Sequence, residues 1–248
     1  MRIAALYDIH GNLPALEAVL ADVRAAGVDR IVIGGDLLPG PMPRECMDLV
    51  LALEIPTDFI IGNGDRETMA AKHGNMSSLV PASFHETMEW TAAQLNSADE
   101  EQIHAWPLTR RQHIVGLGDV LFCHATPRND TEIFTSATSD EKLRPLLDPL
   151  GVQVAVCGHV HMQFDRMVGS TRVMNAGSVG MPFDAPGAYW LLLDSRPELR
   201  RTEYDLVEAA ERVRRTAYPQ AEVFATNSIL SPPSKQMMTE AFSKAELS

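Results

Sequence analysis

The pattern of apolar and polar positions predicts short buried strands that end in polar loops. Apolar runs at residues 3–7, 31–33 and 59–61 each precede glycines and polar side chains. A helix follows the first run, since apolar residues then recur at helical spacing at Leu13, Leu16, Val19, Leu20 and Val23. The first part of the chain is therefore predicted to be built from β-loop-α units.

The middle of the chain changes from a helical to a strand pattern. Residues 83–106 are predicted to be helical, with a helix start near Ala98-Asp99 and packing residues Trp90, Leu95, Ile103 and Trp106. Closely spaced strand patterns then follow at 112–115, 120–123, 152–157, 164–168, 172–174 and 189–193. Hairpins are expected to dominate this later half.

The order of these elements predicts an α/β fold with one mixed sheet, or two packed sheets, and helices outside. We expect a single domain over residues 1–248, with residues 205–248 as a C-terminal helical extension. In that extension one amphipathic helix carrying Val207, Ala210 and Val213 precedes a Ser/Pro-rich joint at 231–234 and a final helix.

Charge and composition narrow the classes of partner. Asp and Glu number 33 against 21 Lys and Arg, a formal net charge of -12, so long nucleic acid is an unfavourable partner. No stretch approaches the roughly 18 apolar residues of a membrane span, and no secretory h-region stands near the start. The 3 cysteines, Cys46, Cys123 and Cys157, form no disulfide pattern. A cytoplasmic protein without membrane attachment is expected.

Side chains that bind metals recur where loops leave the predicted strands. They are Asp8, His10, Asp36, Asn63, His124, His159 and His161. Strand ends in an α/β sheet converge on one edge, which would bring such residues into one site. Imidazole with carboxylate oxygen suits manganese, iron, zinc, cobalt or nickel better than calcium. Taken alone, Asp8-x-His10 could equally cap the following helix, and Gly158-His159-Val160-His161 could be a polar turn.

Five segments in order resemble the calcineurin-like metallophosphoesterase superfamily, and most closely its small bacterial and archaeal phosphodiesterase-like branch. They are Asp8-Ile9-His10-Gly11-Asn12, Gly34-Gly35-Asp36, Gly62-Asn63-Gly64-Asp65, Cys123-His124-Ala125 and Gly158-His159-Val160-His161. Asn175-Ala176-Gly177-Ser178 adds to the likeness, which covers about residues 1 to 195. The resemblance implies a four-layer αββα sandwich and hydrolysis of phosphate esters.

The resemblance also implies a pair of divalent ions, manganese first among the metals named above. Asp8, His10 and His161 would hold one ion, and Asn63, His124 and His159 the other, with Asp36 bridging them. A hydroxide shared by the two ions would attack the phosphorus. The implied catalytic residues are Asp36 and Asn63, with Arg66 and Arg128 as candidates for a bidentate contact with the substrate phosphate.

One position departs from the family pattern. Many relatives have histidine directly after the metal-binding asparagine, where it supports the leaving group, but this chain has Gly64. We therefore expect a preference for diesters or good leaving groups. Asp65 is expected to orient a neighbouring ligand or cap the next helix, and Asn12 to cap the helix that begins near Leu13.

The remaining histidines and the cysteines have simpler interpretations. His73, His85, His104 and His113 follow no predicted strand end and are left out of the site. Cys123 and Cys157 precede proposed ligands, and packing as small hydrophobes is favoured over thiolate coordination.

Three functional hypotheses follow from the sequence. The first is a phosphodiesterase or phosphatase acting on a small phosphate ester, such as a nucleotide. The second is a protein or monoester phosphatase. The third is a metal-binding scaffold with weak catalysis, which the glycine at position 64 favours and the complete ligand set disfavours. A homo-oligomer with its contact on the tail helices stays open.

Overall fold

The computed structural model describes residues 1–247, which fold into two five-stranded sheets with helices outside. The strands of this range are β1 Ile3–Leu6, β2 Arg30–Ile33, β3 Thr57–Phe59, β4 Thr109–Ile114, β5 Gly118–Cys123, β6 Val154–Cys157, β7 Phe164–Val168, β8 Thr171–Asn175, β9 Ala188–Leu193 and β10 Glu198–Thr202. Its α-helices are α1 Leu13–Ala25, α2 Pro43–Leu51, α3 Asn63–Lys72, α4 His85–Ala93, α5 Ser97–His104, α6 Asp140–Leu147, α7 Leu206–Arg214, α8 Ala221–Phe224 and α9 Lys235–Phe242.

Each sheet has parallel strands at its centre. The first sheet has the order β10-β9-β1-β2-β3, in which β1, β2 and β3 are parallel. The second has the order β4-β5-β6-β8-β7, in which β5, β6 and β8 are parallel. Parallel strands end at the same edge of a sheet, so the loops after β1, β2 and β3 and those after β5 and β6 can meet.

Side-chain alternation along β1 explains the layers. Ile3, Ala5 and Tyr7 point between the sheets, where they pack with residues of the second sheet such as Phe122 and Val156. The intervening residues of β1 belong to the outer cluster formed with the helices on that side. A third cluster lies between the second sheet, α6 and α9. The layers are therefore helix, sheet, sheet, helix, which confirms the predicted αββα fold.

Most strand predictions agree with the structure, but the third strand is Thr57–Phe59 and meets the predicted run 59–61 only at Phe59, and the tail is more complex than predicted. The amphipathic helix after Asp205 is α7, and α9 follows the Ser/Pro-rich joint. Between them lie α8 and a π-helical stretch at 225–230, which the sequence analysis did not separate. The strand β10 and the helix α6 were not predicted either. In the described part of the chain we find no helix with the length and apolar character to cross a membrane.

Candidate metal centre

The loops that carry the predicted ligands have an uncommon backbone conformation. Asp8, His10, Asp36, His159 and His161 all have positive φ, between 48° and 67°, and within residues 1–247 they are the non-glycine residues that do. Such a conformation costs of order 1–3 kcal/mol and persists only where the surroundings enforce it. The strain in this fold is thus concentrated at the ends of β1, β2 and β6.

The first cluster joins the β1 loop to the β6 loop. Nε2 of His10 lies 3.2 Å from Nε2 of His161, and that atom lies 3.3 Å from Oδ1 of Asp8. All three residues are buried. Three ligand atoms from two sheets therefore face one point.

The second cluster joins the other loops. Nε2 of His124 lies 3.1 Å from one terminal atom of the Asn63 amide, and Nδ1 of His159 lies 3.0 Å from the same atom. Oδ1 of Asp36 lies 3.5 Å from Nε2 of His124. The structure therefore brings Asp36, Asn63, His124 and His159 together at the meeting edge of the two sheets.

Asp36 lies between the two clusters. Its Oδ1 faces His124 of the second cluster, while its Oδ2 lies 3.7 Å from Nε2 of His10 in the first. The two oxygens of one buried carboxylate thus point to two different groups of imidazoles. This is the arrangement that a carboxylate bridging two cations requires.

Backbone carbonyl groups fix which nitrogen of each imidazole faces the site. Nδ1 of His10 lies 3.3 Å from Pro39 O, Nδ1 of His124 lies 3.0 Å from Gly34 O, and Nδ1 of His161 lies 2.7 Å from Met181 O. A carbonyl accepts a proton from Nδ1, which leaves the Nε2 lone pair directed inward. His159 is turned the other way, with its ring against the Thr131 backbone and Nδ1 inward.

The donor atoms fit cations. Oδ1 of Asp8 is fully buried and finds no hydrogen-bond partner among the described residues. The Asn63 side-chain oxygen faces only acceptor atoms of neighbouring residues. Neighbouring donors 3.0 to 3.7 Å apart match the spacing of ligands around an ion with bonds of about 2.1 Å, roughly 3.0 Å at octahedral and 3.4 Å at tetrahedral angles. These residues therefore suit divalent metals.

Burial and charge set the protonation of the cluster. Burial, together with the neighbouring His161, lowers the pKa of His10 to about 3, and burial with His124 lowers that of His159 to about 3. Both imidazoles are neutral ligands at pH 7. Burial disfavours the ionised form of Asp8, but the adjacent His161 outweighs it and lowers the Asp8 pKa to about 2. Burial and the charge of Asp8 raise the pKa of Asp36.

Asp65 supports the loop that holds Asp36. Its carboxylate accepts hydrogen bonds from the backbone N–H groups of Asp36 at 2.9 Å, Leu38 at 3.0 Å and Gly62 at 3.0 Å. It thus orients a neighbouring ligand and ties the start of α3, as the sequence suggested. Asn12 accepts a hydrogen bond from Ala15 N at 3.2 Å, as expected of the residue that caps α1.

The Asn175-Ala176-Gly177-Ser178 segment ties the two ligand-bearing loops to the end of β8. Nδ2 of Asn175 donates to Gly158 O at 2.6 Å, next to His159. Oγ of Ser178 donates to Asp8 O at 2.7 Å. This segment therefore fixes the backbone of ligands in both clusters without contributing one.

The two predicted phosphate-binding arginines are engaged in ion pairs. Arg66 forms two hydrogen bonds with Asp130, at 2.8 and 3.0 Å, and a further ion pair with Glu67. Arg128 pairs with Glu132, and its side chain is 57% exposed. Contact of either arginine with phosphate stays a prediction.

The sequence analysis missed the loop after β5. The carbonyl oxygen of Asp130 lies 3.1 Å from the terminal atom of Asn63 that faces His124 and His159, and the Thr131 backbone lies against the His159 ring. No residue-type signal announces such contacts, because any residue supplies the same carbonyl. Cys123 and Cys157 are buried, and burial raises the pKa of both thiols, which favours packing over coordination.

Comparison with known proteins places the chain in a family. The model of the calcineurin-like phosphoesterase superfamily domain matches residues 1–197. The chain belongs to this superfamily, a family of phosphoesterases that uses divalent metals. The predicted family is therefore confirmed.

Similar proteins come from archaea and bacteria. An uncharacterized protein of Methanocaldococcus jannaschii is 27% identical over 88% of this chain and 94% of its own length. The crystal structure of a metallophosphoesterase from Sphaerobacter thermophilus has a TM-score of 0.71 at 26% identity, covering 91% of this chain and 97% of that one. A hypothetical protein from Pyrococcus horikoshii OT3 has a TM-score of 0.77 at 20% identity, covering 94% and 99%, and shares the fold.

Proposed function

We propose that this protein hydrolyses phosphate esters at a centre of two divalent metal ions. The observation that carries the proposal is the position of Asp36, whose two carboxylate oxygens face separate imidazole clusters. Asp8, His10 and His161 would hold one ion. Asn63, His124 and His159 would hold the other.

The ions would supply a water activated near neutral pH and positive charge next to the phosphate oxygens. The chain's own contribution is preorganisation. Imidazoles held by backbone carbonyls at the ends of strained loops are already oriented when a cation binds. The mixture of imidazole and carboxylate leads us to propose manganese, with iron, zinc, nickel or cobalt as alternatives.

The surroundings of Gly64 support a preference among esters. An added Cβ at this position would lie 2.3 Å from the carbonyl oxygen of Leu38, so the backbone itself occupies the space that a side chain would need. Position 64 therefore cannot carry an imidazole that would protonate a leaving group. We therefore propose that diesters and esters with good leaving groups are hydrolysed faster than unactivated monoesters.

The substrate is proposed to be a small phosphate ester. The net charge of -12 opposes binding of a long polyanion. Arg128, on the loop after β5 and largely exposed, is the arginine better placed to meet a phosphate by exchanging its partner Glu132 for the substrate. Three free buried thiols fit a reducing cytoplasm.

The test is hydrolysis of a nitrophenyl phosphodiester and the matching monoester by metal-stripped protein reloaded with manganese. We expect manganese-dependent turnover that is faster on the diester. Asp36→Asn should lower this turnover by at least about a hundredfold, which is the largest effect expected of a residue that only supports the metal ligands. A faster monoester would refute the leaving-group argument. Two bound ions without turnover on any ester would favour the scaffold hypothesis.

A further inference from the structure

Arg66 occupies the first turn of α3, the helix that begins at Asn63. Its Nε and Nη2 donate to the two carboxylate oxygens of Asp130 at 2.8 and 3.0 Å, a two-pronged arrangement with good geometry. Its third nitrogen, Nη1, pairs with Glu67. Every nitrogen of the guanidinium therefore already has a carboxylate partner.

The charges around Arg66 argue against a phosphate contact. Asp130 and Glu67 are both buried. Together with Arg66 they form a trio of side chains with one positive and two negative formal charges. The net charge of these three side chains is negative, so they do not attract an anion. Freeing the guanidinium for a substrate would leave a buried carboxylate unpaired, which is costly.

The partner of Arg66 lies on the loop that supports the second cluster. The Asp130 carbonyl oxygen is 3.1 Å from the terminal atom of the Asn63 amide that faces His124 and His159, and the backbone of the next residue, Thr131, lies against the His159 ring. The loop turns on Asn129, whose side-chain oxygen accepts from Thr131 N at 3.1 Å. An anchor on Asp130 therefore holds the backbone of this loop against two predicted ligands.

We propose that Arg66 is a positioning residue for the metal bound by Asn63, His124 and His159, acting through its ion pair with Asp130. The inference rests on the proposed metal centre, and it replaces the expectation that Arg66 contacts phosphate. Arginine is required because only its planar fork can hold both oxygens of Asp130 in one orientation.

The experiment titrates metal-stripped protein with manganese calorimetrically, comparing wild type with Arg66→Ala, Arg66→Lys and Asp130→Asn. Arg172→Ala is the matched control, because Arg172 makes an equivalent two-bonded pair with Asp165 on the distant β7–β8 hairpin. We expect two ions in the wild type and in the control. Arg66→Ala and Asp130→Asn should each weaken one ion by about 10- to 100-fold, as outer-shell changes do, and leave the other within about twofold.

The double variant and a phosphate probe complete the test. Arg66→Ala combined with Asp130→Asn should bind no more weakly than the weaker single variant, because both remove one interaction. At saturating manganese, inorganic phosphate should compete with a phosphate ester for the variants as strongly as it does for the wild type. Normal affinity for both ions in Arg66→Ala, or phosphate competition that stays weakened at saturating manganese, would overturn the inference.

Folding and function are separable in this design. Arg66→Lys keeps the positive charge, and its metal-free melting temperature reports any loss of fold, so a weakened ion at an unchanged melting temperature supports positioning. Weakened binding in Arg66→Ala together with a wild type that cleaves no ester would refute the proposed function alone. A wild type that binds fewer than two ions would refute both.

Discussion

The backbone N–H of Gly64 donates a 2.7 Å hydrogen bond to Oδ1 of Asp36. The position at which many relatives have a histidine therefore supports the Asp36 carboxylate through its backbone. A Cβ here would meet Leu38 O at 2.3 Å and Asp36 Cγ at 3.0 Å. The family's histidine is excluded by the local fold as well as missing from the sequence.

Gly64→Ala and Gly64→His are therefore expected to damage the centre and not to restore a proton donor. Overpacking against a backbone carbonyl should cost about 1–3 kcal/mol of unfolding free energy and lower manganese affinity. Gly27→Ala is the control, since a Cβ there meets no atom within 4 Å and only the φ of +62° opposes it. Thermal unfolding and monoester kinetics provide the measurement. A Gly64→His protein with an unchanged melting temperature and faster monoester cleavage would contradict this account.

The metal-free protein should lose stability as the pH rises from about 6.5 to about 8. Burial and the charge of Asp36 raise the pKa of Asp65 to about 8, and the pKa values of Asp36 and His161 are raised as well. Folding takes up protons at groups with raised pKa values, so their stabilisation is lost as pH rises through the folded values. Below 6.5 the lowered pKa values of His10 and His159 oppose the trend.

Melting curves of metal-stripped protein between pH 6.5 and 8 measure the direction in which its stability changes with pH. Manganese affinity should increase over the same range, because the ligands must be deprotonated to bind. A melting temperature of the metal-free protein that rises between pH 6.5 and 8 would show that the carboxyl groups are already ionised in the absence of metal.

The helix α9 is connected to the first cluster through aromatic contacts. Phe183 stacks on His161 with ring centres 4.8 Å apart, and Phe242 of α9 packs on Phe183 at 6.0 Å. Phe242→Ala should therefore loosen His161 and weaken the ion of that cluster by about threefold to tenfold, at or below the low end for outer-shell changes. Met237→Ala on the same helix, 60% exposed, should change nothing. Equal manganese affinities in the two variants would show that α9 does not influence metal binding.

The C-terminal extension should contribute to the stability of the domain. Ile229 is fully buried and belongs to the core cluster of the first sheet and its helices. Ile229→Ala is expected to lower the unfolding free energy by about 2–5 kcal/mol, whereas Val223→Ala, at a half-exposed position, should cost about 0.5 kcal/mol or less. Denaturant unfolding with both variants provides the measurement. Similar small losses of unfolding free energy in the two variants would show that the C-terminal extension adds little to the stability of the domain.

The sequence indicated the candidate ligands because each carries metal-binding chemistry and follows an apolar strand. His124 and His159, for example, end β5 and β6, whose parallel pairing places them side by side. It could not reveal the support given by Asp130 and Thr131, because backbone carbonyls have no sequence signature. The helix α6 was missed because Pro145 interrupts its pattern. The excluded side chain at Gly64 depends on Leu38, a contact that only the folded chain defines.

Anomalous scattering from crystals loaded with manganese tests most directly whether Asp36 bridges two ions. We predict two manganese peaks about 3.5–4 Å apart, one beside His10 and His161 and the other beside His124 and His159, with Asp36 between them. A single peak, or peaks away from Asp36, would contradict the account.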